Sequence, residues 1–212
     1  MIDYPEKLDL AQTPTPFYSL DRLSERLGGP RIWIKRDDLT GAATSGNKIR
    51  KLEFLFAEAL ASGCDTVITS GGVQSNHCRA VALLGAQLGL KVHLLLRSDI
   101  APQSVGNLLL DQLAGATISH YSVAEFEQLD RLFERWQSHY TDLGSRAYSI
   151  PTGGSNGTGM WGYIAAAEEL SRDFQREGIV TAQIVHATGS GGTQAGLMLG
   201  CFLHQLNASV KA

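Results

Sequence analysis

The sequence predicts an α/β protein with mainly parallel sheets and helices on both of their faces. Two observations predict it. From about residue 32 onward, short apolar runs rich in β-branched residues alternate with amphipathic helical stretches, and loops rich in Gly, Ser and Thr carry strand ends into helix starts. With 212 residues, 43% of them hydrophobic and a net charge of −3, the chain has the profile of an ordinary soluble globular protein, long enough for one good core or one and a half domains.

The elements follow in order. Residues 31–35, with Ile32, Trp33 and Ile34, form the first strand candidate. A Gly/Thr/Ser-rich loop leads to a helix over 46–62, where Ile49, Leu52, Leu55, Phe56, Ala59 and Leu60 recur at helical spacing and predict one buried face. A strand at 66–69, a helix at 76–88 and a strand at 92–96 come next, then a helix at 103–114 and a strand at 117–121. A long helix over 125–141, a short strand at 147–150 and a helix over 157–175 follow. A strongly apolar strand at 179–187 and a helix at 193–205 complete the series. Residues 209–212 look like the opening of one further strand, so the chain reads as the N-terminal portion of something longer, with a natural short form as the alternative.

Several function classes lose support. The mild acidity and the absence of a dense Lys/Arg cluster leave no footprint for nucleic acid. No apolar run approaches the roughly 20 residues needed to span a bilayer, and residues 1–6 lack a basic-then-apolar leader pattern. Cys64, Cys78 and Cys201 are far apart and odd in number, which predicts reduced, mostly buried thiols in a cytoplasmic protein. The six histidines are scattered without metal-ligand spacing, so no metal site is expected.

Three stretches carry candidate chemistry. In Ser45-Gly46-Asn47-Lys48-Ile49-Arg50-Lys51-Leu52-Glu53, the buried helix face draws the helix start inward with it. Desolvation there disfavours the ammonium of Lys48 and frees an amine suited to a Schiff base. A surface lysine in a first helical turn fits the same residues. In His186-Ala187-Thr188-Gly189-Ser190-Gly191-Gly192-Thr193-Gln194-Ala195-Gly196, an apolar strand runs into a glycine and hydroxyl loop and then a helix, a cradle for phosphate. A tight ligand-free turn is its plainer alternative. In Thr69-Ser70-Gly71-Gly72-Val73-Gln74-Ser75-Asn76-His77-Cys78-Arg79, a similar loop offers a helix N-terminus to a carboxylate. There Ser75 is either an N-cap or a reacting hydroxyl, and His77 reads equally well as a satisfied surface histidine with no catalytic role. Lys51 is placed to reach a phosphate, although a solvated lysine is the commoner outcome. Asp37 and Asp38 are read as loop and capping residues, since adjacent residues of an extended chain point to opposite sides.

These motifs, together with Lys35-Arg36-Asp37-Asp38, Pro151-Thr152-Gly153-Gly154-Ser155 and Gly162-Tyr163, resemble the D-cysteine desulfhydrase and 1-aminocyclopropane-1-carboxylate deaminase family. These are fold-type-II pyridoxal-phosphate enzymes of the tryptophan-synthase-β-like superfamily. The resemblance spans essentially the whole chain. It implies a two-domain, three-layer αβα parallel-sheet fold. Residues 1–46 and 155–212 would belong to a larger cofactor domain that is incomplete here, and 47–154 to a smaller inserted one.

It also implies pyridoxal 5'-phosphate held by Lys48, with Lys51, Asn76, Thr188, Gly189, Ser190, Gly191, Gly192 and Thr193 contacting the cofactor. Ser75, Asn76 and His77 would meet a small amino-acid substrate, with Lys48 and Ser75 as catalytic residues, in a homodimer. The activity implied first is β-elimination of D-cysteine to pyruvate, ammonia and hydrogen sulfide. Opening of 1-aminocyclopropane-1-carboxylate to 2-oxobutanoate and ammonia, release of sulfite from cysteate, and a chain without turnover are the alternatives. Gly106-Asn107-Leu108-Leu109-Leu110-Asp111 resembles the desulfhydrase branch, and Arg97-Ser98-Asp99-Ile100 lacks the tryptophan expected in the deaminase branch.

Overall fold

The computed structural model describes residues 2–100 and 102–212; Met1, the first residue of the N-terminal stretch read above, lies outside them. At its centre is a parallel sheet of β3 (Thr66–Gly72), β4 (Lys91–Arg97), β5 (Thr117–Tyr121) and β6 (Ala147–Ser149), in the order β5-β4-β3-β6. The middle of β3 and of β4 is buried on both faces, as a parallel sheet covered by helices requires. The two-residue period sorts the side chains. Val67, Leu94 and Leu96 meet Ile49, Leu52 and Phe56 of α2 (Lys48–Ala61) and Val81 and Leu84 of α3 (Asn76–Leu88). Ile68 and Leu95 point the other way, with Tyr121, against Phe126 of α5 (Val123–Phe126) and Leu132, Phe133 and Trp136 of α6 (Leu129–Asp142). Each fully buried Leu or Ile contributes about 1.5–3 kcal/mol to this three-layer arrangement.

Outside the central sheet, β1 (Phe17–Ser19) pairs antiparallel with β2 (Trp33–Lys35), and β7 (Ala182–Val185) pairs parallel with β8 (Ala208–Lys211). Helix α7 (Gly157–Glu177) joins the two regions. A Cβ on Gly162 would strike the Arg50 carbonyl, so glycine there lets α7 lie directly on α2. On its other side α7 packs against α8 (Gly192–Leu203), where Gly196 and Gly200 leave room for Tyr163 and Ala167. The N-terminal segment docks on α2 through Glu53, which is 4% exposed and accepts from the amides of Leu10 and Ala11.

The structure departs from the expected elements at identifiable places. The helix expected at 103–114 is α4 (Gly106–Leu113), entered through Gly106 at φ +59°. The single long helix expected over 125–141 is two. A capping box at Ser122 and Glu125 starts α5, and the chain leaves helical geometry at Gln128 before α6. The nine-residue strand expected at 179–187 shrinks to β7, because Gly178 closes α7 with Ile179 bonded to the Phe174 carbonyl and Val180 is 83% exposed. Leu60, expected on the buried face, is 38% exposed. Neither β1 nor α1 (Asp21–Leu27) is foreseen, and α1 buries no residue.

Candidate active site

Helix α2 brings Lys48 to the site. Its amine is half-buried, donates to Asn47 Oδ1 at 2.8 Å, and has its pKa lowered by burial. Asn47 in turn donates through Nδ2 to Thr193 Oγ1 at 3.2 Å, tying the start of α2 to the start of α8. Beneath them Arg50 is 2% exposed and pairs with Asp37 at 2.8 Å and Glu169 at 2.7 Å. Asp37 also accepts from Tyr163 and Thr15, so it is part of a buried ion-pair network and not the simple loop residue expected; Asp38 pairs with Arg36 near the surface.

Lys51 corrects the solvated-lysine expectation. It is 1% exposed, and its Nζ donates to the Gly153 carbonyl at 3.2 Å and Ser155 Oγ at 3.3 Å. Burial, helped by the charge of Lys48, lowers its pKa to about 8. A Cβ on Gly192 would lie 2.9 Å from this Nζ and 2.5 Å from Ser155 Oγ, so the lysine sits directly under the glycine loop.

That loop is built from unpaired donors. Gly191 takes φ +79° at the N-cap of α8, with no side chain capping the helix. The amides from Thr188 through Gln194 donate to no other group among the described residues. Ser190 Oγ lies 2.7 Å from Ser155 Oγ. Such a helix start attracts an anion.

The third stretch enters from β3. Ser75 is the N-cap of α3 and accepts from the Cys78 amide at 3.2 Å. The amides of Asn76 and His77 have no partner among the described residues, and Asn76 Oδ1 accepts from Asn107 at 2.9 Å. His77 is no surface histidine: it is 3% exposed, with Nε2 at 2.9 Å from Thr69 Oγ1. Burial pushes its pKa down to about 3.

One cavity of about 270 Å³ gathers these residues. Lys48, Lys51, Ser75, Asn76, His77, Thr188, Gly189, Ser190, Gly191 and Thr193 line it; Gly192, expected among the cofactor contacts, does not, and packs instead against Ser155 and Lys51. Ala187, Asn47, Thr152 and Gly153 complete the lining and are not among the expected site residues. A further hydroxyl and glycine loop after a strand, at 151–155, is the signal that marks the last two. Among the described residues no group of three His, Cys, Asp or Glu could hold a metal, and no helix is long and apolar enough to cross a membrane. The three cysteines are free and buried.

Residues 8–211 match the family model described as pyridoxal-phosphate dependent enzyme. The chain belongs to this family. Its relatives include the mitochondrial bifunctional D-cysteine desulfhydrase/1-aminocyclopropane-1-carboxylate deaminase of Arabidopsis thaliana, 45% identical over 96% of this chain and 53% of that protein. A D-cysteine desulfhydrase of Serratia proteamaculans is 42% identical over 92% of this chain and 59% of its own length. A putative 1-aminocyclopropane-1-carboxylate deaminase of Thermotoga maritima is 47% identical over 92% and 61%. A crystal structure of an ACC deaminase homologue superposes with a TM-score of 0.86 at 37% identity, covering 97% of this chain and 61% of the other. The resemblance drawn from the motifs holds, and so does the fold class. The chain spans 53–61% of the length of these relatives.

The cofactor of the family is pyridoxal phosphate, and the cavity fits it on three counts. A half-buried amine stands at one side, free amides above a buried lysine suit a phosphate at another, and the wall holds an unpaired buried ring nitrogen, His77 Nδ1.

Proposed function

We propose that this cavity holds pyridoxal phosphate on Lys48 and that the protein catalyses β-elimination of D-cysteine to pyruvate, ammonia and hydrogen sulfide. The observation that carries the proposal is the convergence of Lys48, the 188–193 loop and the α3 N-terminus on one cavity. When bound, pyridoxal phosphate supplies an electron sink for the carbanion left by removal of the α-proton. Lys48, its ammonium disfavoured by burial, would hold the cofactor through its amine and, with that amine free, would take the α-proton. The amides of the 188–194 stretch hold the phosphate, with the charge of Lys51 beneath. The unpaired amides of Asn76 and His77 take the substrate carboxylate beside Ser75. Asn76, with its oxygen engaged by Asn107, keeps Nδ2 to donate to the cofactor.

A second reading is opening of the cyclopropane amino acid, whose reacting carbon has no α-proton, so that a nucleophile or a different proton acceptor must act on the ring and Ser75 becomes essential. The name of the Arabidopsis relative joins both activities, and the Ser75 oxygen caps α3 as an acceptor, leaving its proton unspent. Turnover of D-cysteine, cysteate and 1-aminocyclopropane-1-carboxylate, compared in the protein, Lys48→Ala and Ser75→Ala, separates these. D-cysteine turnover that survives Lys48→Ala contradicts the proposal, and cofactor binding without any turnover supports a chain that only binds.

The same reading takes residues 47–154 as a smaller domain against a larger one formed by 1–46 and 155–212, in a cytoplasmic homodimer. Sedimentation of the purified protein tests the dimer.

A further inference from the structure

Asn47 stands at the N-cap of α2, where an asparagine ordinarily accepts from the helix's own amides, yet its side chain makes no capping hydrogen bond. Both of its polar atoms are spent elsewhere. Oδ1 accepts from the Lys48 amine at 2.8 Å, and Nδ2 donates to Thr193 Oγ1 at 3.2 Å in the first turn of α8. The partners fix which way the amide faces. An ammonium only donates, so the oxygen turns to Lys48 and the nitrogen to Thr193. Thr193 accepts from Asn47 and thereby keeps its own proton for an anion on the glycine loop. The chain entering Asn47 is held as well, since the fully buried Thr40 accepts from the Gly46 amide through Oγ1 at 2.9 Å.

We propose that Asn47 is a positioning residue that holds the free Lys48 amine in the cavity, anchored for that task by the Thr193 hydroxyl. The inference rests on the reading of Lys48 as the cofactor lysine. A neutral amine that donates one proton to Oδ1 directs its lone pair away from Asn47, so the bond orients the nucleophile as well as holding it. An amide suits this task better than a carboxylate. It accepts without adding a charge, and so steadies the amine while leaving it free to lose its extra proton, as burial already favours. No carboxylate opposes this from the other elements around the cavity. Among the described residues lining it, the other titratable side chains are Lys51 on the same helix and His77 on α3, which burial keeps neutral.

The test uses the protein without cofactor and two readouts. Trace acetylation across pH, with peptide mapping by mass spectrometry, gives the midpoint at which Lys48 loses its proton. Borohydride trapping of pyridoxal on Lys48 gives a reaction rate, with a probe that lacks the phosphate and so does not engage the glycine loop. Asn47→Asp should raise the midpoint by about one pH unit or more. Asn47→Leu removes the acceptor of the ammonium and should lower it. Local unfolding would raise both toward an exposed lysine, so opposite signs separate positioning from a merely structural effect. Although more of its amine is neutral, Asn47→Leu should trap pyridoxal about tenfold more slowly. Thr193→Val should lose rate in the same way, and Thr193→Ser, which keeps the hydroxyl, should recover it. Midpoints that move together, a parent Lys48 that traps no pyridoxal, or Asn47→Leu trapping at the parent rate overturns the proposal. Mapping of pyridoxal phosphate itself reports separately on the cofactor reading. That reading can then fail while the Asn47 bond stands, or the reverse.

Discussion

Asn107 donates through Nδ2 to Asn76 Oδ1 at 2.9 Å and to the Gln74 carbonyl at 2.9 Å, while its own amide donates to Gln74 Oε1. Its oxygen accepts from Arg79, whose other nitrogen donates to the Ser45 carbonyl just before α2. The first turn of α4 thus latches the loop that presents Ser75 and Asn76 and, through Arg79, the approach to Lys48. The sequence pointed at Gly106 and Asn107 for a different reason, their likeness to one branch of the family.

Asn107→Asp replaces a donor facing two acceptors with a third acceptor. Losing these bonds is worth about 1–2 kcal/mol. Affinity for pyridoxal phosphate should fall about tenfold, read from absorbance titration. Unchanged affinity would mean that the latch does not position the site.

Gly192→Ala places a Cβ 2.5 Å from Ser155 Oγ and 2.9 Å from Lys51 Nζ, so the loop or the lysine must shift at a cost of about 1–3 kcal/mol. Phosphate competition against pyridoxal phosphate should weaken about tenfold or more. Gly157→Ala, at the start of α7 and away from the cavity, with nothing within 4 Å of the added atom, should stay near the parent in the same assay.

Arg50→Met leaves Asp37 and Glu169 without their buried partner and should cost about 3–5 kcal/mol in urea unfolding. Burial opposes the charge on Glu169, but Arg50 and Lys35 overcome it and hold its pKa below the usual value. A depressed carboxylate stabilises above its unfolded pKa and loses that contribution as pH falls through the folded one. The loss therefore belongs below the ordinary glutamate value of 4.5, and Glu169→Gln should flatten the acid limb there.

Asp111 is fully buried on α4 with neither carboxylate oxygen hydrogen-bonded, and burial raises its pKa to about 7, only partly countered by Arg79. The folded state binds this proton more tightly than the unfolded chain does. Stability is therefore greatest below the ordinary aspartate value of 3.8 and declines as pH rises toward about 7. Asp111→Asn should unfold later in urea than the parent at mildly alkaline pH, by about 1–3 kcal/mol, and the gap should close on acidification. A gap independent of pH would contradict the assignment.

Much of the fold was legible because burial repeats along the chain. The bounds of α3 and β5 follow directly from apolar spacing, while the β-branched and Leu runs at 66–69 and 92–96 mark β3 and β4 but not their ends, since β3 continues through Gly72 and β4 spans Lys91–Arg97. Helix α1 was not, because it buries nothing and so has no apolar stripe to read. The glycine loop, Ser75 and Lys48 were legible because each sits where a strand or loop meets a helix start. Lys51 and His77 were not, since their burial depends on Gly153, Ser155 and Thr69, partners brought close only by the packing of β3 and the loop after β6. For Asp37 the decisive partner, Arg50, is thirteen residues away and faces it only once α2 is in place.

The central claim is that Lys48, and not its buried neighbour Lys51, carries the cofactor. Titration of the protein with pyridoxal phosphate, reduction with borohydride and peptide mapping by mass spectrometry test it directly. The account predicts a visible band that disappears on reduction, with the adduct on Lys48, and no band in Lys48→Ala. An adduct on Lys51, or one scattered over exposed lysines and undiminished in Lys48→Ala, would contradict it.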